Sequence, residues 1–266
     1  MINLKNKKGI ILGIANEKSI AWGIAEKLNE CGAQLAFSYV IESIKKRLKP
    51  LAEKCNSNLI YECDVQDDKS IDNFFSQIKQ SWNSCDFLVH SVAFSDKNEL
   101  KGSYVKTSRE NFLNTLNVSC YSFTALCQRV SDLMNEGGQI LTLSYLGAER
   151  VMPHYNVMGI AKSALETSVK YLAEDLGKKN IRVNAISAGP IKTLAASGIS
   201  DFRYILKWNE YNSPLRRSTN IEEVGKNSIY LLSDLSSGVT GEVIHVDCGY
   251  HVVGMKAVDA PDISVE

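Results

Sequence analysis

Two tyrosines and a lysine lie close together in residues 141–166, which read LTLSYLGAERVMPHYNVMGIAKSALE. Tyr155 and Lys162 are seven residues apart. On an α-helix this is about two turns, so both side chains would lie on one face. A phenol can donate a hydrogen bond to a developing oxyanion, and an ammonium beside it can hold hydroxyl groups. The spacing is therefore compatible with a site that stabilises negative charge on a substrate oxygen.

The same helical pattern also has a simpler interpretation. Glu166 and Lys170 fall on the stripe that begins with the tyrosine and the lysine, so this could be an ordinary solvated face. The opposite stripe carries Val157, Ala164 and Ser168, which are small enough for close packing against another helix. We predict that this second face is buried and that it meets a neighbouring subunit.

The elements that must position these residues alternate along the chain. Short apolar runs rich in β-branched residues are separated by longer helical patterns, and these runs are KGIILGI, AQLAFSY, NLIYECDV, DFLVHSVAF, GQILTLSY, IRVNAISAGP and EVIHVDCGY. The pattern predicts one seven-stranded parallel sheet flanked by helices on both faces, in a single doubly wound α/β domain over residues 1–266. In such a sheet, ligands bind beyond the carboxyl ends of the strands.

Composition narrows the class of function. Thirty basic residues balance thirty acidic ones, so no net field favours nucleic acid or anionic lipid. The apolar run at the N-terminus is too short for a signal peptide, and no segment reaches the length of a membrane span, so we expect a cytoplasmic protein. Seven cysteines lack a CxxC spacing and four histidines are scattered, so we expect no disulfide framework and no metal.

A nucleotide could bind where the first strand ends. Residues 13–28, GIANEKSIAWGIAEKL, lack the commonest glycine spacing of dinucleotide-binding proteins. However, Gly13 ends the strand, Ser19 can cap the next helix, and Gly23 would let that helix approach the sheet. Helix amides near Ser19 and Ile20 would then face a pyrophosphate. A strand, a glycine and a capped helix also occur in α/β proteins that bind no nucleotide.

The residues at the ends of the second and third strands would contact the adenosine part of a dinucleotide. In CDV, Asp64 could accept from the adenine amino group while Val65 packs on the ring, or Asp64 could cap the helix that follows. An acid after the second strand would bind the ribose 2′-hydroxyl and an arginine would suit a 2′-phosphate, but FSYVIES ends in neither. We expect NADH rather than NADPH, which would require Lys45, Lys46 or Arg47 to reach back.

These motifs together resemble the short-chain dehydrogenase/reductase superfamily and, within it, the bacterial enoyl-acyl-carrier-protein reductases. The resemblance runs nearly end to end and rests on GIANEKSIAWGIA, CDV, HSVAF, LTLSYLGAER, YNVMGIAKSALE, RVNAISAGPIKTLAASGI and GEVIHVD. Most of the superfamily has Tyr-x3-Lys and a serine partner, whereas this group shares the wide Tyr-x6-Lys spacing. The resemblance implies a Rossmann-type fold and NADH-dependent reduction of the 2,3 double bond of 2-enoyl-acyl-carrier-protein thioesters in type II fatty acid synthesis.

The resemblance also implies residue roles. Tyr155 would hydrogen-bond the thioester carbonyl, Lys162 would bind the nicotinamide ribose, and Tyr145 would replace the superfamily's serine beside the substrate. Hydride delivery to the β-carbon places charge on the thioester oxygen, which Tyr155 would stabilise while Lys162 lowers the pKa of that phenol. Cofactor contacts are implied for Gly13, Ser19, Ile20, Asp64, Val65, Ser91, Val92, Lys162, Ile191 and Thr193. Substrate contacts are implied for Ala93, Ser95, Tyr145, Tyr155, Met158, Leu194, Ile199, Phe202 and Leu206.

A substrate lid is implied at about residues 193–212, which could otherwise be an amphipathic surface helix. Arg203 and Lys207 are four residues apart within it, where they could meet an acidic acyl-carrier protein or remain solvated. The resemblance further implies a homotetramer. The sequence departs from the family pattern at Asn117, a position that is often aspartate, and at Cys248, which replaces the first glycine of a VDGG turn.

Two other functions stay open at this level. A carbonyl-reducing short-chain dehydrogenase, such as a ketoacyl-thioester reductase, would deliver hydride to the carbonyl carbon itself. A nucleotide-binding scaffold would keep the fold without the chemistry. Tyr145 in place of serine argues against the first, and the Tyr155/Lys162 pair argues against the second, because a scaffold needs neither residue.

Overall fold

The computed structural model describes residues 2–196 and 199–263. Its seven strands form one sheet in the order β3-β2-β1-β4-β5-β6-β7, and every neighbouring pair is parallel. The predicted seven-stranded parallel sheet is therefore confirmed. The strands are β1 (Lys8–Leu12), β2 (Gln34–Tyr39), β3 (Ile60–Glu62), β4 (Cys85–His90), β5 (Met134–Ser144), β6 (Arg182–Ala188) and β7 (Val243–Val246).

Helices cover both faces of this sheet, as predicted. They are α1 (Ile20–Glu30), α2 (Glu42–Lys54), α3 (Asp68–Ser81), α4 (Arg109–Leu116), α5 (Ser122–Val130), α6 (Asn156–Gly177), α7 (Phe202–Asn212) and α8 (Ile221–Leu231). The adjacent β1 residues Ile10 and Ile11 are fully buried in different apolar clusters, one on each face. Because both faces of the strands are covered, the strands consist of nearly continuous apolar runs. None of the helices in the described ranges has the length and hydrophobicity needed to cross a membrane.

The strand order reverses between β1 and β4, and the chain there requires a glycine. Gly13, directly after β1, has φ +99°, and a Cβ atom on it would lie 2.0 Å from the carbonyl oxygen of Ser91. Any side chain at this position would force the ends of β1 and β4 apart. The reversal of strand order at this point opens a crevice for a ligand at the carboxyl ends of the strands.

Gly23 has a different role from the one predicted from the sequence. A Cβ atom on Gly23 would lie 2.4 Å from the Ile221 carbonyl oxygen, and one on Gly225 would lie 2.3 Å from the Gly23 carbonyl oxygen. The two glycines therefore allow the backbones of α1 and α8 to meet. The prediction that Gly23 brings its helix to the sheet is wrong, because the close contact is between two helices on the same face.

Ser19 occupies the N-cap position of α1, but its hydroxyl does not cap the helix. It accepts instead from the backbone amides of Ala15 and Asn16, at 3.0 and 3.2 Å. The predicted capping hydrogen bond is therefore wrong. The serine closes the loop after β1 and leaves the first amides of α1 available to a ligand.

The small-residue stripe on α6 packs in part against this chain itself. Val157 is fully buried and packs with Tyr155 and Met158, while Ala164 packs against the core beneath the sheet. The Ser168 hydroxyl donates to the Ala164 carbonyl oxygen at 2.9 Å. Val157 is therefore buried as predicted, while Ala164 and Ser168 are half-buried, and the contact of this face with a neighbouring subunit stays a prediction.

Candidate active site

A cavity of about 810 Å³ lies at the carboxyl ends of the strands and extends from the crevice beside Gly13 to the lid. It is lined by all of the residues assigned to the cofactor and by all of those assigned to the substrate except Leu206. The structure therefore brings together residues from five strand ends and from the lid. Their individual contacts with ligands stay predictions.

The Asp64 carboxylate borders this cavity and does not cap a helix. It accepts from the Gln66 amide at 3.0 Å, while the N-cap of α3 is Asp67, whose carboxylate accepts from the Lys69 amide at 3.0 Å. The alternative in which Asp64 caps α3 is therefore wrong. Asp64 and Val65 both line the cavity at the end expected to hold the adenine ring.

Sequence reasoning missed three lining residues near the end of β2, which are Ser38, Tyr39 and Ile44. Val40 lines the cavity with them, and no arginine does so among the described residues. Lys45 lies beside this end, with its Nζ 5.0 Å from the centre of the Tyr39 ring and 3.6 Å from Glu42. The available signal in the sequence was that these residues lie near the end of β2, which is the neighbour of β1, where the strand order reverses. Phe94, Lys97 and Leu100, on the loop after β4, were also missed.

Tyr145 and Tyr155 face each other at the opposite end of the cavity. Their ring centres are 5.0 Å apart and the rings are inclined by 72°, an edge-to-face arrangement. A Cβ atom on Gly147 would lie 2.3 Å from Cδ1 of Tyr155, so the glycine makes room for the phenol. The Tyr145 hydroxyl is buried and has no hydrogen-bond partner in the described part of the chain. An unpaired buried hydroxyl costs about 1–3 kcal/mol, so a polar ligand atom here would be stabilised.

Burial keeps both phenols neutral. It raises the pKa of Tyr155 well above its usual value, and the charges of Tyr145 and Glu166 raise it further. Burial likewise raises the pKa of Tyr145. A neutral phenol is a hydrogen-bond donor at neutral pH, as the proposed chemistry requires. The prediction that Lys162 lowers the pKa of Tyr155 is wrong, because burial outweighs any effect of the ammonium.

Lys162 is also buried, and it is anchored to the end of β5. Its Nζ donates to the Leu143 carbonyl oxygen at 2.7 Å. Burial lowers its pKa to about 8, against raising effects from Cys120 and Glu166. Tyr155 is the N-cap residue of α6 and Lys162 follows two turns later, and both line the cavity. The solvated-face interpretation is therefore wrong for this pair.

The lid contributes one helix, α7, whose inward face differs from the predicted one. Its buried positions are Ile205, Asn209 and Asn212, whereas Leu206 does not line the cavity. Successive helical residues are rotated by about 100°, so burial of Ile205 turns Leu206 aside. The prediction that Leu206 lines the acyl channel is wrong. Residues 197 and 198 of the lid lie outside the described residues.

Two histidines that belong to no common sequence motif are in contact in the fold. The rings of His245 and His251 stack with centres 4.0 Å apart, and each pairs with a carboxylate: His245 with Glu149 at 2.8 Å and His251 with Asp247 at 3.0 Å. The expectation that all four histidines are scattered is therefore wrong. Within the described ranges, no cluster of three or more histidine, cysteine or acidic side chains could hold a metal ion.

The two departures from the family pattern each mark an unusual backbone segment. Asn117 begins a π-helical turn, Asn117–Tyr121, and Val118 in that turn lines the cavity. Such turns often occur at functional sites. Cys248 has φ +57°, a left-handed conformation that favours glycine, so the turn geometry is kept without the glycine.

Comparison with known proteins gives one consistent result. Residues 13–251 match a family model described as enoyl-(acyl carrier protein) reductase. A curated relative from Rhizobium meliloti (strain 1021), named enoyl-[acyl-carrier-protein] reductase [NADH] 1, is 63% identical, and the match covers 98% of this chain and 96% of the relative. A FabI relative from Rickettsia typhi is 58% identical over 94% of this chain and 96% of the relative.

Solved structures agree with this result. The reductase from Anaplasma phagocytophilum, crystallised in complex with NAD, superposes with a TM-score of 0.93 at 60% identity and covers 98% of this chain and 97% of its own. FabI from Candidatus Liberibacter asiaticus superposes with a TM-score of 0.95 at 56% identity, covering 97% of this chain and 100% of its own.

Replacing Lys162 by methionine is expected to change the pH dependence of stability. The folded pKa of Lys162 is about 8, below the ordinary value of 10.5, so between these values the unfolded chain binds more protons. In this window the lysine makes the free energy of unfolding rise with pH. The stability of Lys162→Met relative to wild type should therefore fall by about 2–3 kcal/mol across the window, as measured by urea unfolding.

The exposed Lys170 on the same helix provides the control for this measurement. Lys170→Met measures the effect of removing an exposed lysine from the same helix. A stability difference for Lys162→Met that stays constant with pH would mean that the folded chain does not perturb Lys162.

Proposed function

The chain belongs to the enoyl-(acyl carrier protein) reductase family, and from this premise we infer that it reduces the 2,3 double bond of 2-enoyl-acyl-carrier-protein thioesters with NADH. The reaction belongs to type II fatty acid synthesis. The observation that carries this assignment is the pair of neutral, facing phenols of Tyr145 and Tyr155 in one cavity with the buried Lys162. We propose that the enzyme is cytoplasmic and that residues 1–266 form one catalytic domain with a lid.

The cavity fits a nicotinamide dinucleotide. The backbone cradle at Gly13 has no room for a side chain, and the free amides at the start of α1 suit a pyrophosphate. NADH supplies the hydride when it is bound. Asp64 and Val65 would hold the adenine, Lys162 the nicotinamide ribose, and Ile191 and Thr193 the nicotinamide side. Further contacts are proposed for Ser19, Ile20, Ser91 and Val92. The absence of arginine among the described lining residues at the adenosine end favours NADH over NADPH.

The substrate end provides a donor where negative charge develops. When hydride reaches the β-carbon of an enoyl thioester, charge moves to the thioester oxygen. The neutral phenol of Tyr155 is placed to donate to that oxygen, and a donor fixed in advance in a dry site contributes most. Tyr145 closes the pocket beside it and offers its own unpaired hydroxyl. The acyl chain would pass Ala93, Ser95, Met158, Leu194, Ile199 and Phe202.

The two alternative functions fit the structure less well. A carbonyl reductase of this superfamily uses a small serine beside its tyrosine, whereas here a second aromatic ring fills that space at 5.0 Å. A scaffold that only binds nucleotide gains nothing from a buried ammonium whose pKa is lowered to about 8, because such burial costs stability. Both comparisons favour the enoyl reductase.

The assignment is tested by substrate choice together with single phenol deletions. Crotonyl thioester, and not acetoacetyl thioester, should drive oxidation of NADH. Tyr155→Phe should lower kcat by about 10²- to 10³-fold, because it removes the donor to the enolate. Lys162→Ala should lose NADH binding as well as turnover. Steady-state kinetics measures turnover, and fluorescence titration measures NADH binding.

Other outcomes identify which part of the assignment fails. A preference for acetoacetyl thioester would indicate the ketoacyl reductase, and NADH binding with turnover of neither substrate would indicate the scaffold. If Tyr155→Phe kept full activity while Tyr145→Phe lost it, the two tyrosines would have exchanged roles.

We also propose a homotetramer, in which the outward face of α6 forms a subunit contact. That face carries Ile160 and Tyr171, which are 42% and 73% exposed, with the small exposed residues Ser163 and Thr167 between them. These positions recur at helical spacing, so two exposed apolar side chains and the small residues between them form one strip along the helix. Exposed apolar surface of this kind marks contacts between proteins.

An arginine placed in the middle of this strip should break the assembly. Thr167→Arg is expected to sediment as a smaller species than the wild-type tetramer, because the charge would be buried without a partner. Ser76→Arg, at an exposed position on α3, is the control and should leave the assembly intact. A monomeric wild-type protein in sedimentation would contradict the proposal.

We propose that the exposed face of the lid presents positive charge to the acyl-carrier protein. Arg203 and Lys207 are exposed on α7, while Ile205 is buried and Phe202 lines the cavity. The two cations therefore lie at the rim of the acyl entrance. Charges at a rim chiefly alter the rate of encounter and its salt dependence.

Reversing both charges should slow the reaction only with the carrier-linked substrate. Arg203→Glu with Lys207→Glu is expected to lower kcat/KM for that substrate by about 3- to 10-fold at low ionic strength, and to leave a neutral short thioester unaffected. Lys49→Glu with Lys54→Glu, exposed on the far part of α2, is the matched control. An equal loss of kcat/KM on both substrates would indicate that the substitutions disturb the lid. No loss on either substrate would indicate that Arg203 and Lys207 are ordinary solvated surface charges.

A further inference from the structure

We propose that Glu166 is a positioning residue for the reduction: its carboxylate fixes the end of β5 through Ser144 and provides the negative charge that accompanies the buried Lys162. The inference rests on the roles proposed above for Tyr155 and Lys162. From the sequence, Glu166 was interpreted as part of a solvated helix face, whereas in the fold its side chain is half-buried.

The geometry links two consecutive residues of β5 to two consecutive turns of α6. The Ser144 hydroxyl donates to Oε1 of Glu166, and the Lys162 ammonium donates to the Leu143 carbonyl oxygen at 2.7 Å. Ser144 is the last residue of β5, lines the cavity and directly precedes Tyr145. The carboxylate therefore acts on the backbone that carries Tyr145, although it does not itself line the cavity.

Glu166 and Lys162 are also neighbours on the helix, four residues apart on one face. The negative charge of Glu166 raises the pKa of Lys162, opposing the stronger effect of burial. The same charge contributes to the raised pKa of Tyr155. A single carboxylate thus favours the protonated form of both groups, which are the ammonium that holds hydroxyl groups and the phenol that donates to the enolate.

Other charged groups reach Glu166 from three elements. Burial raises the pKa of the carboxyl, the hydrogen bond from Ser144 lowers it, and Glu149, at the end of the 3-10 turn after Tyr145, raises it again. His245 on β7 and Lys170 on α6 lower it. His245 and Glu149 are paired with each other at 2.8 Å, so both groups act on Glu166 from one contact.

The remaining titratable groups near Lys162 are neutral near neutral pH. Burial, and then the charge of Lys162, lowers the pKa of His90 to about 3, so this imidazole is uncharged. Its two ring nitrogens are hydrogen-bonded to Thr142 and Ser122 at 2.8 and 2.9 Å. Burial raises the pKa of the Cys120 thiol, which keeps its proton. Among these groups Glu166 is the carboxyl group, and its negative charge raises the pKa of Lys162.

The test separates the charge of Glu166 from its hydrogen bond. In wild type, NADH binding should weaken as pH rises through about 8, when Lys162 loses its proton. Glu166→Gln keeps an acceptor for Ser144 but has no charge, so this loss should move about one unit to lower pH. Ser144→Ala keeps the charge, so the pH profile should stay in place while kcat falls by about 3- to 10-fold.

Two further variants complete the design. Glu166→Asp keeps the charge but is too short to reach Ser144, so it should behave like Ser144→Ala. Glu174→Gln, an exposed glutamate two turns further along α6, should match wild type in both measurements. If Glu166→Gln does not fold, Glu166→Asp still tests the proposal, because a displaced pH profile in that variant would overturn it.

The proposal is also overturned by an unmoved pH profile in Glu166→Gln, or by an equal shift in Ser144→Ala. Failure of the proposed function is distinct from these outcomes. If Lys162→Ala binds NADH as tightly as wild type and with the same pH profile, then Lys162 is not the group that binds the cofactor, whatever Glu166 does.

Discussion

The active site depends on the buried ammonium of Lys162. Lys162 lies within the fold with its ammonium bound to the Leu143 carbonyl oxygen, and its burial costs enough to lower its pKa to about 8. The end of β5 and the first two turns of α6 must therefore keep a fixed relation. Tyr145 and Tyr155 stand at the ends of these same two segments, so the contact that holds the ammonium also sets the distance between the phenols.

The same burial explains why the phenols differ from what electrostatic proximity alone would suggest. A cation near a phenol favours the phenolate, yet burial raises the pKa of Tyr155 well above its usual value. The reaction needs a donor to a developing oxyanion and not a base, so a neutral phenol is the useful form. Desolvation, and not the neighbouring charge, therefore decides the chemistry of this site.

Much of this arrangement follows from the sequence, because each prediction rested on a local pattern. The apolar runs predicted the strands, and the parallel topology then required Gly13, Asp64, Ser91 and Tyr145 to meet at one edge of the sheet. Helical spacing placed Tyr155 and Lys162 on one face. The family resemblance added the roles of these residues, which no spacing could supply.

The errors share a different physical origin. Periodicity gives a stripe on a helix, but which neighbour that stripe meets depends on tertiary packing. Gly23 therefore packs against α8 and not against the sheet. On α7, spacing alone did not show which side of the helix faces inward. Ile205 is buried there, and not Leu206 as expected. Glu166 could not be recognised because its partner Ser144 is distant in sequence and adjacent only in the fold.

The central claim is that the hydride enters the β-carbon of an enoyl thioester while Tyr155 stabilises the oxygen. The most direct measurement uses NADH deuterated at the transferred position, with crotonyl thioester in ordinary water and NMR of the saturated product. The account predicts deuterium on the β-carbon and solvent hydrogen on the α-carbon. Deuterium on the α-carbon, or on the carbonyl carbon of a reduced alcohol, would contradict it.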